Sequence, residues 1–153
     1  MKQKWTYPEY VKKTHPGVVR KFYRKTLNTI ARLTVFPQVR MWAYRKMGIH
    51  IGKDVFIGPD CYFDDTFPEL IYIEDGVTIS FRVTIAVHGE ARMRGESKVS
   101  PVYIRKNAFV GTGVIILPGV EIGANAVVGA GAVVTKDVSA GITVAGVPAR
   151  KLK

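Results

Sequence analysis

Along the C-terminal two-thirds of the chain an aliphatic residue returns every six positions. Ile51, Ile57, Ile73, Ile79, Ile85, Ile104, Val110, Ile116, Ile122, Val128 and Val134 fall on this period wherever the spacing is uninterrupted. Four positions after each stands a small or branched residue: Val55, Cys61, Val77, Val83, Gly89, Ala108, Val114, Val120, Ala126, Ala132 and Val138. A period of six suits neither an α-helix at 3.6 residues per turn nor a lone hairpin. It suits short strands joined by tight corners, three strands to a coil, with one aliphatic per face directed inward. Successive coils then stack as parallel strands about 4.8 Å apart. The small inward residues let such a prism close. A glycine follows the aliphatic at Gly52, Gly58, Gly111, Gly123 and Gly129. These glycines, with Asn107 and Asn125, suit corners that demand positive φ. The unbroken series from Ile104 to Val134 argues against accidental spacing in an ordinary sandwich. Cys61 belongs to the inward series and reads as a buried structural thiol.

The rhythm breaks twice. Phe63 continues the count, but "DDTFPEL" (64–70) intervenes before the next start at Ile73. After Ile85 the next start is Ile104, nineteen residues on, which is no multiple of six. The intervening loop Gly89–Pro101 is polar, carrying Glu90, Arg92, Arg94, Glu96 and Lys98. A loop extruded from a rigid solenoid costs little in closure entropy and is a usual seat of function. His88 stands at its root. Imidazole titrates near neutral pH, so it can take a proton from a hydroxyl as that oxygen attacks an electrophile. The plainer reading is a corner histidine in contact with solvent.

The repeat, together with "KNAFVGTGVIILPGVEIGANAVVGAGAVVTKDV" and the ending "VAGVPARKLK", resembles the hexapeptide-repeat acyltransferases over about residues 49–153. The resemblance implies an all-β fold, a left-handed parallel β-helix, and the residues before it read as an N-terminal basic helical segment. The hand comes from the resemblance alone, since right-handed crossovers are the general rule for parallel strands. Sugar O-acetyltransferases of the galactoside and maltose type carry a histidine just before an extruded loop, and "VTIAVHGE" places His88 there. In those enzymes the histidine lies about two residues further from the preceding aliphatic, so the match relies on the loop root. They also place an acceptor-binding Asn shortly after an "IG" coil. The offset from "IGPDCYFDD" lands on Asp64, so Asp stands where the family has Asn. Asp64 or Asp65 then binds a sugar hydroxyl or orients His88, unless both are solvated surface acids.

The resemblance further implies acetyl-CoA as donor, held in a cleft between two subunits of a homotrimer. The backbone at Thr112 and Ala130 would grip the pantetheine arm, with Thr135 nearby. An N–H near Thr112 or Gly113 would stabilise the oxyanion. Arg150 and Lys153 would meet the phosphates.

Charge divides the chain. Residues 1–48 hold twelve Lys and Arg against the single acid Glu9, a net +11, whereas residues 49–153 are neutral overall. Two units are expected: an arm over 1–48 and a solenoid over 49–153 with its loop at 89–101. Within the arm, "GVVRKFYRKTLNTIARLTVF" sets Val19, Phe22, Tyr23, Thr26, Ile30 and Leu33 along one helical stripe. Two readings follow, a helix that covers the open end of the solenoid and an interfacial helix that docks on an anionic leaflet. No nucleic-acid motif accompanies the basic residues, so no nucleic-acid partner is expected. A cytoplasmic protein, peripheral at the inner face of a membrane and acting on a free or lipid-linked sugar, is expected from four features. These are the lone cysteine, the absence of a signal-like start, the absence of a spanning apolar run and the basic arm. Two other functions compete: a non-catalytic trimeric scaffold, and a carbonic anhydrase relative using His15, His50 and His88. The latter needs three imidazoles on one metal, and no metal is expected because only His88 lies well inside the coils.

Overall fold

The computed structural model describes residues 5–6, 17–91 and 96–152. Strand β1 (Trp5–Thr6) precedes two helices, α1 (Val18–Leu33) and α2 (Pro37–Met47). The first coil follows as β2 (His50–Ile51), β3 (Phe56–Ile57) and β4 (Tyr62–Phe63). A second consists of β5 (Ile71–Ile73), β6 (Thr78–Ile79) and β7 (Thr84–Ile85). A hairpin, β8 (His88–Ala91) and β9 (Glu96–Val99), is then inserted. The third coil is β10 (Val102–Ile104), β11 (Phe109–Val110) and β12 (Ile115–Ile116), and the fourth β13 (Glu121–Ile122), β14 (Val127–Val128) and β15 (Val133–Val134). Strands β16 (Thr143–Ala145) and β17 (Arg150–Lys151) close the chain.

Strands in equivalent positions stack in parallel as three faces of a prism. The first face is β2–β5–β10–β13, the second β3–β6–β11–β14–β16 with β17 antiparallel at its edge, and the third β4–β7–β12–β15. Register keeps the aliphatics in line, with Ile57, Ile79, Val110 and Val128 on the second face and Phe63, Ile85, Ile116 and Val134 on the third. These residues are buried, and so are the small residues two positions before them, Cys61, Val77, Val83, Ala108, Val114, Ala126 and Ala132 among them. Gly89 departs from the expected inward series. It is exposed on the hairpin, and Val102 takes the inward place before Ile104 because the insertion delays the coil's return.

Asn107 and Asn125 adopt φ of 57° and 56°, as their corners require. The glycines that follow an aliphatic do a different job from the one expected. At Gly111 an added Cβ would stand 2.7 Å from the Ala130 nitrogen, so glycine there permits the close approach of neighbouring coils. Cys61 is fully buried, its Sγ 3.1 Å from the Ser80 carbonyl oxygen, and burial pushes its thiol up to about 11.

The two helices lie against the first coil, α1 on β4 and α2 on β3. Tyr44 donates its hydroxyl to the Cys61 carbonyl at 2.6 Å, and its ring sits 4.6 Å from that of Phe63. Arg40, buried, is satisfied by the carbonyls of Ala31, Thr34 and Ile57. The solenoid's N-terminal end is therefore covered, as solenoids require. The covering face of α1 is not the one its sequence suggests. Arg24, Leu27, Asn28 and Ala31 are buried, while Val19, Phe22, Tyr23, Thr26, Ile30 and Leu33 face outward.

Candidate active site

Both interruptions of the repeat leave the prism at the same corner, between the third and first faces. The segment after β4 turns away at Asp64, and the one after β7 at Val87 and His88. The backbone aligns them, since the Asp64 N–H donates to the Ile85 carbonyl at 3.0 Å. One coil therefore delivers a carboxylate and the next an imidazole, about 4.8 Å apart along the axis.

Asp64 is 3% exposed and its carboxylate is fully engaged. Oδ1 accepts the N–H groups of Thr66 at 3.0 Å and Phe67 at 3.3 Å. Oδ2 accepts the Val87 N–H at 3.1 Å and contacts His88 Nδ1 at 2.5 Å. Burial pushes this carboxyl upward, but His88 and the backbone N–H groups outweigh it, and the net direction is down. An ionised carboxylate against Nδ1 favours the neutral tautomer that carries its proton on Nδ1, in which Nε2 is the basic nitrogen. His88 keeps 32% of its side chain exposed, so one edge of the ring meets solvent. The buried Phe67 ring meets the imidazole edge-on, with centroids 5.7 Å apart. His88 is the first residue of β8, paired with Val99 of β9, so a sheet fixes its backbone. The geometry is that of a proton acceptor with a built-in orienting group.

Of the two acids, Asp64 is the one in contact with His88. Asp65 is partly exposed and lies 3.5 Å from the Asn28 amide nitrogen. Helix α1 supports the segment that holds Asp64. The Arg24 guanidinium donates to the Thr66 carbonyl and to Glu69, both at 2.8 Å, and Asn28 donates to the Phe63 carbonyl at 3.0 Å. Neither Arg24 nor Asn28 stood out in the sequence, because both lie off the apolar stripe that marks a helix's packing face. A polar residue bound for a loop carbonyl has no period of its own.

The residues expected to hold the donor fall elsewhere. Thr112 and Gly113 form the corner between the second and third faces, and Ala130 lies one coil on, where the Gly131 N–H donates to the Thr112 carbonyl at 2.7 Å. The Gly113 N–H is committed to the Phe81 carbonyl at 3.0 Å, so it is not an oxyanion donor. Among the described residues, the N–H groups of Thr112 and Ala130 have no protein acceptor. Gly113 and Gly131 have open space where a side chain would be, which suits a ligand lying against the backbone. Thr135 follows β15 and so belongs to the corner of His88, two coils further along. Arg150 is exposed on β17. Lys153 lies outside the described residues, as do His15, Arg92 and Arg94. One chain thus brings Asp64, Asp65, His88 and Thr135 to one corner and Thr112, Gly113 and Ala130 to another. His50 stacks on Tyr72 with centroids 4.5 Å apart, on the first face and away from His88. No group of three His, Cys, Asp or Glu able to hold a metal occurs among the described residues.

The winding of short parallel strands defines a solenoid of the hexapeptide class, and comparison with known proteins agrees. The family model for bacterial transferase hexapeptide (six repeats) matches residues 101–136. The chain is 38% identical over 110 residues to the galactoside O-acetyltransferase of Escherichia coli (strain K12), covering 69% of this chain and 53% of that protein. It thus spans about half the length of that relative. Protein CapG of Staphylococcus aureus is 40% identical over 116 residues, which cover 71% of this chain and 67% of that protein. A solved galactoside acetyltransferase in complex with coenzyme A superposes with a TM-score of 0.64 at 27% identity, over 88% of this chain and 80% of that one. The chain belongs to the hexapeptide-repeat acetyltransferase family.

Proposed function

We propose that the protein transfers an acetyl group from acetyl-CoA to a hydroxyl or amine of a sugar or glycoconjugate, with His88 as general base. The single observation that carries this reading is the contact between Asp64 and His88 Nδ1 at the root of the hairpin. Asp64 holds the ring so that Nε2 is the basic nitrogen. His88 Nε2 removes the acceptor's proton as the acceptor oxygen or nitrogen bonds to the thioester carbonyl carbon. The carbon–sulfur bond then breaks, and the departing thiolate recovers the proton from His88. Thr112 and Ala130 supply unclaimed backbone N–H groups for the donor arm, and Arg150 with Lys153 supplies charge for its phosphates. Acetyl-CoA supplies the activated acyl group. The donor corner and the base corner are separate within one chain, which favours a homotrimer with the donor lying between subunits. The coils wind left-handed in this reading, and the basic arm favours a lipid-linked sugar at the cytoplasmic face of a membrane.

The test is kinetic. His88→Ala is expected to lower kcat by at least ~100-fold while calorimetric binding of acetyl-CoA persists. Turnover near that of the unaltered protein overturns the reading. A protein that binds no acetyl-CoA at all is a scaffold instead.

A further inference from the structure

Helix α1 is built inside out. Its buried face is polar at two of four positions, Arg24 and Asn28, and its outer face is apolar. Val18, Val19, Phe22 and Leu33 point to solvent, with Phe22 74% and Leu33 75% exposed. Apolar exposure recurs in the turn that follows, where Val35 is 79% and Phe36 63% exposed, and on α2, where Trp42 is half exposed. Apolar exposure on this scale marks an interaction surface. Two polar residues share the face, Thr26 and Thr29, and both donate their hydroxyls back to carbonyls four residues earlier, Phe22 and Lys25, at 3.0 Å. Their hydrogens are satisfied within the helix, so neither hydroxyl needs an acceptor from what covers the face. Residues 17–48 contain no acid, and Arg20, Lys21, Lys25 and Lys46 are exposed on these helices. No helix among the described residues is long and apolar enough to cross a membrane.

We infer that the outer face of α1 and its turn into α2 insert into the interfacial layer of an anionic lipid bilayer, seating the Asp64–His88 pair against the membrane surface. Lipid fits better than a second copy of the chain, which would bring its own surplus cations to a cationic face. The same helix holds the site from its other side, through Arg24 on Thr66 and Asn28 on Phe63. Docking by this helix brings the pair it supports close to the membrane, which suits an acceptor sugar carried on a lipid. Only this naming of the acceptor rests on the acetyl-transfer reading.

The experiment is cosedimentation with vesicles, equimolar phosphatidylglycerol and phosphatidylcholine against phosphatidylcholine alone. The intact protein is expected to bind the anionic vesicles at least ~10-fold more strongly and to be released by salt. The double variant Phe22→Glu with Leu33→Glu should lose binding by at least ~10-fold, at unchanged melting temperature and unchanged activity on a soluble acceptor. Lys21→Gln and Lys25→Gln should each weaken binding about fivefold. Three results overturn the inference: no binding to anionic vesicles at low salt, undiminished binding by the glutamate variant, or a smaller oligomer for that variant by light scattering. The last would show that another copy covers the face. His88→Ala should bind vesicles normally, so failure of docking and failure of catalysis are read separately.

Discussion

Asp64 stands at a position where its relatives' pattern led to an amide, and the exchange has a consequence for the imidazole. Asp64 gives one oxygen to the Thr66 and Phe67 N–H groups and the other to the Val87 N–H and His88 Nδ1, whereas an asparagine has a single oxygen and cannot serve both sets. Asp64→Asn should therefore release His88 from its tautomer and lower kcat by about 10²–10⁴-fold, with the KM for acetyl-CoA nearly unchanged. Asp65→Asn, at a carboxylate that lies 3.5 Å from the Asn28 amide nitrogen, should change kcat by far less. The same pair predicts a pH dependence of stability. The Asp64 carboxyl in the folded protein lies below its ordinary 3.8, so it contributes stability that is complete above that value and lost as pH falls through the folded one. In urea titrations the gap between the intact protein and Asp64→Asn should close as pH falls below about 3.8. His88 was legible in the sequence because it sits where the six-residue count stops. The choice between Asp64 and Asp65 was not, because either side chain of a loop can turn inward, and only the coil stacking shows which one meets the next corner.

At the scale of elements, the coils and the helices differ in how openly they declare themselves. Each strand of a coil repeats one inward aliphatic, nearly always with an inward small residue, so eleven positions along the chain spell the same geometry. Helix α1 has no such redundancy, and its apolar period points to the wrong side. Its packing face was chosen by the acceptors below it, the carbonyls of Phe63 and Thr66 and the carboxylate of Glu69. Arg24→Met should remove that choice at a cost of about 2 kcal/mol, measured as a lower urea midpoint, because buried charge-assisted hydrogen bonds are worth about 1.5–3 kcal/mol. It should also lower kcat several-fold, since the segment bearing Asp64 loses a support. Within the coils the comparable test is Gly111→Ala. The added Cβ meets the Ala130 nitrogen at 2.7 Å and the Val128 carbonyl oxygen at 2.8 Å, both backbone atoms that yield poorly. Destabilisation of about 1–3 kcal/mol is expected by the same measurement.

The whole molecule poses a question that one chain leaves open, because its two candidate half-sites face different ways. His88 and Asp64 occupy the corner between the third and first faces; Thr112 and Ala130 occupy the corner between the second and third. A prism three strands around turns by about 120° between corners, so under the proposed reading a donor lying along the Thr112 row of one chain would meet the histidine of another. Apolar side chains on the second and third faces, Phe56, Phe109, Ile115 and Tyr62, are partly exposed in the single chain and give a neighbouring copy something to bury. Light scattering at micromolar concentration should accordingly give three times the mass of 17.0 kDa. Complementation tests the shared site itself. His88→Ala lacks the base, and Ala130→Trp is designed to fill the donor row; each alone should be inactive. Refolded together in equal amounts, they should assort at random, and any one interface has about one chance in four of joining an intact histidine to an intact donor row. Activity near a quarter of the unaltered protein's should return. A mixture as inactive as its parents would place base and donor within one chain, contrary to the geometry of the corners.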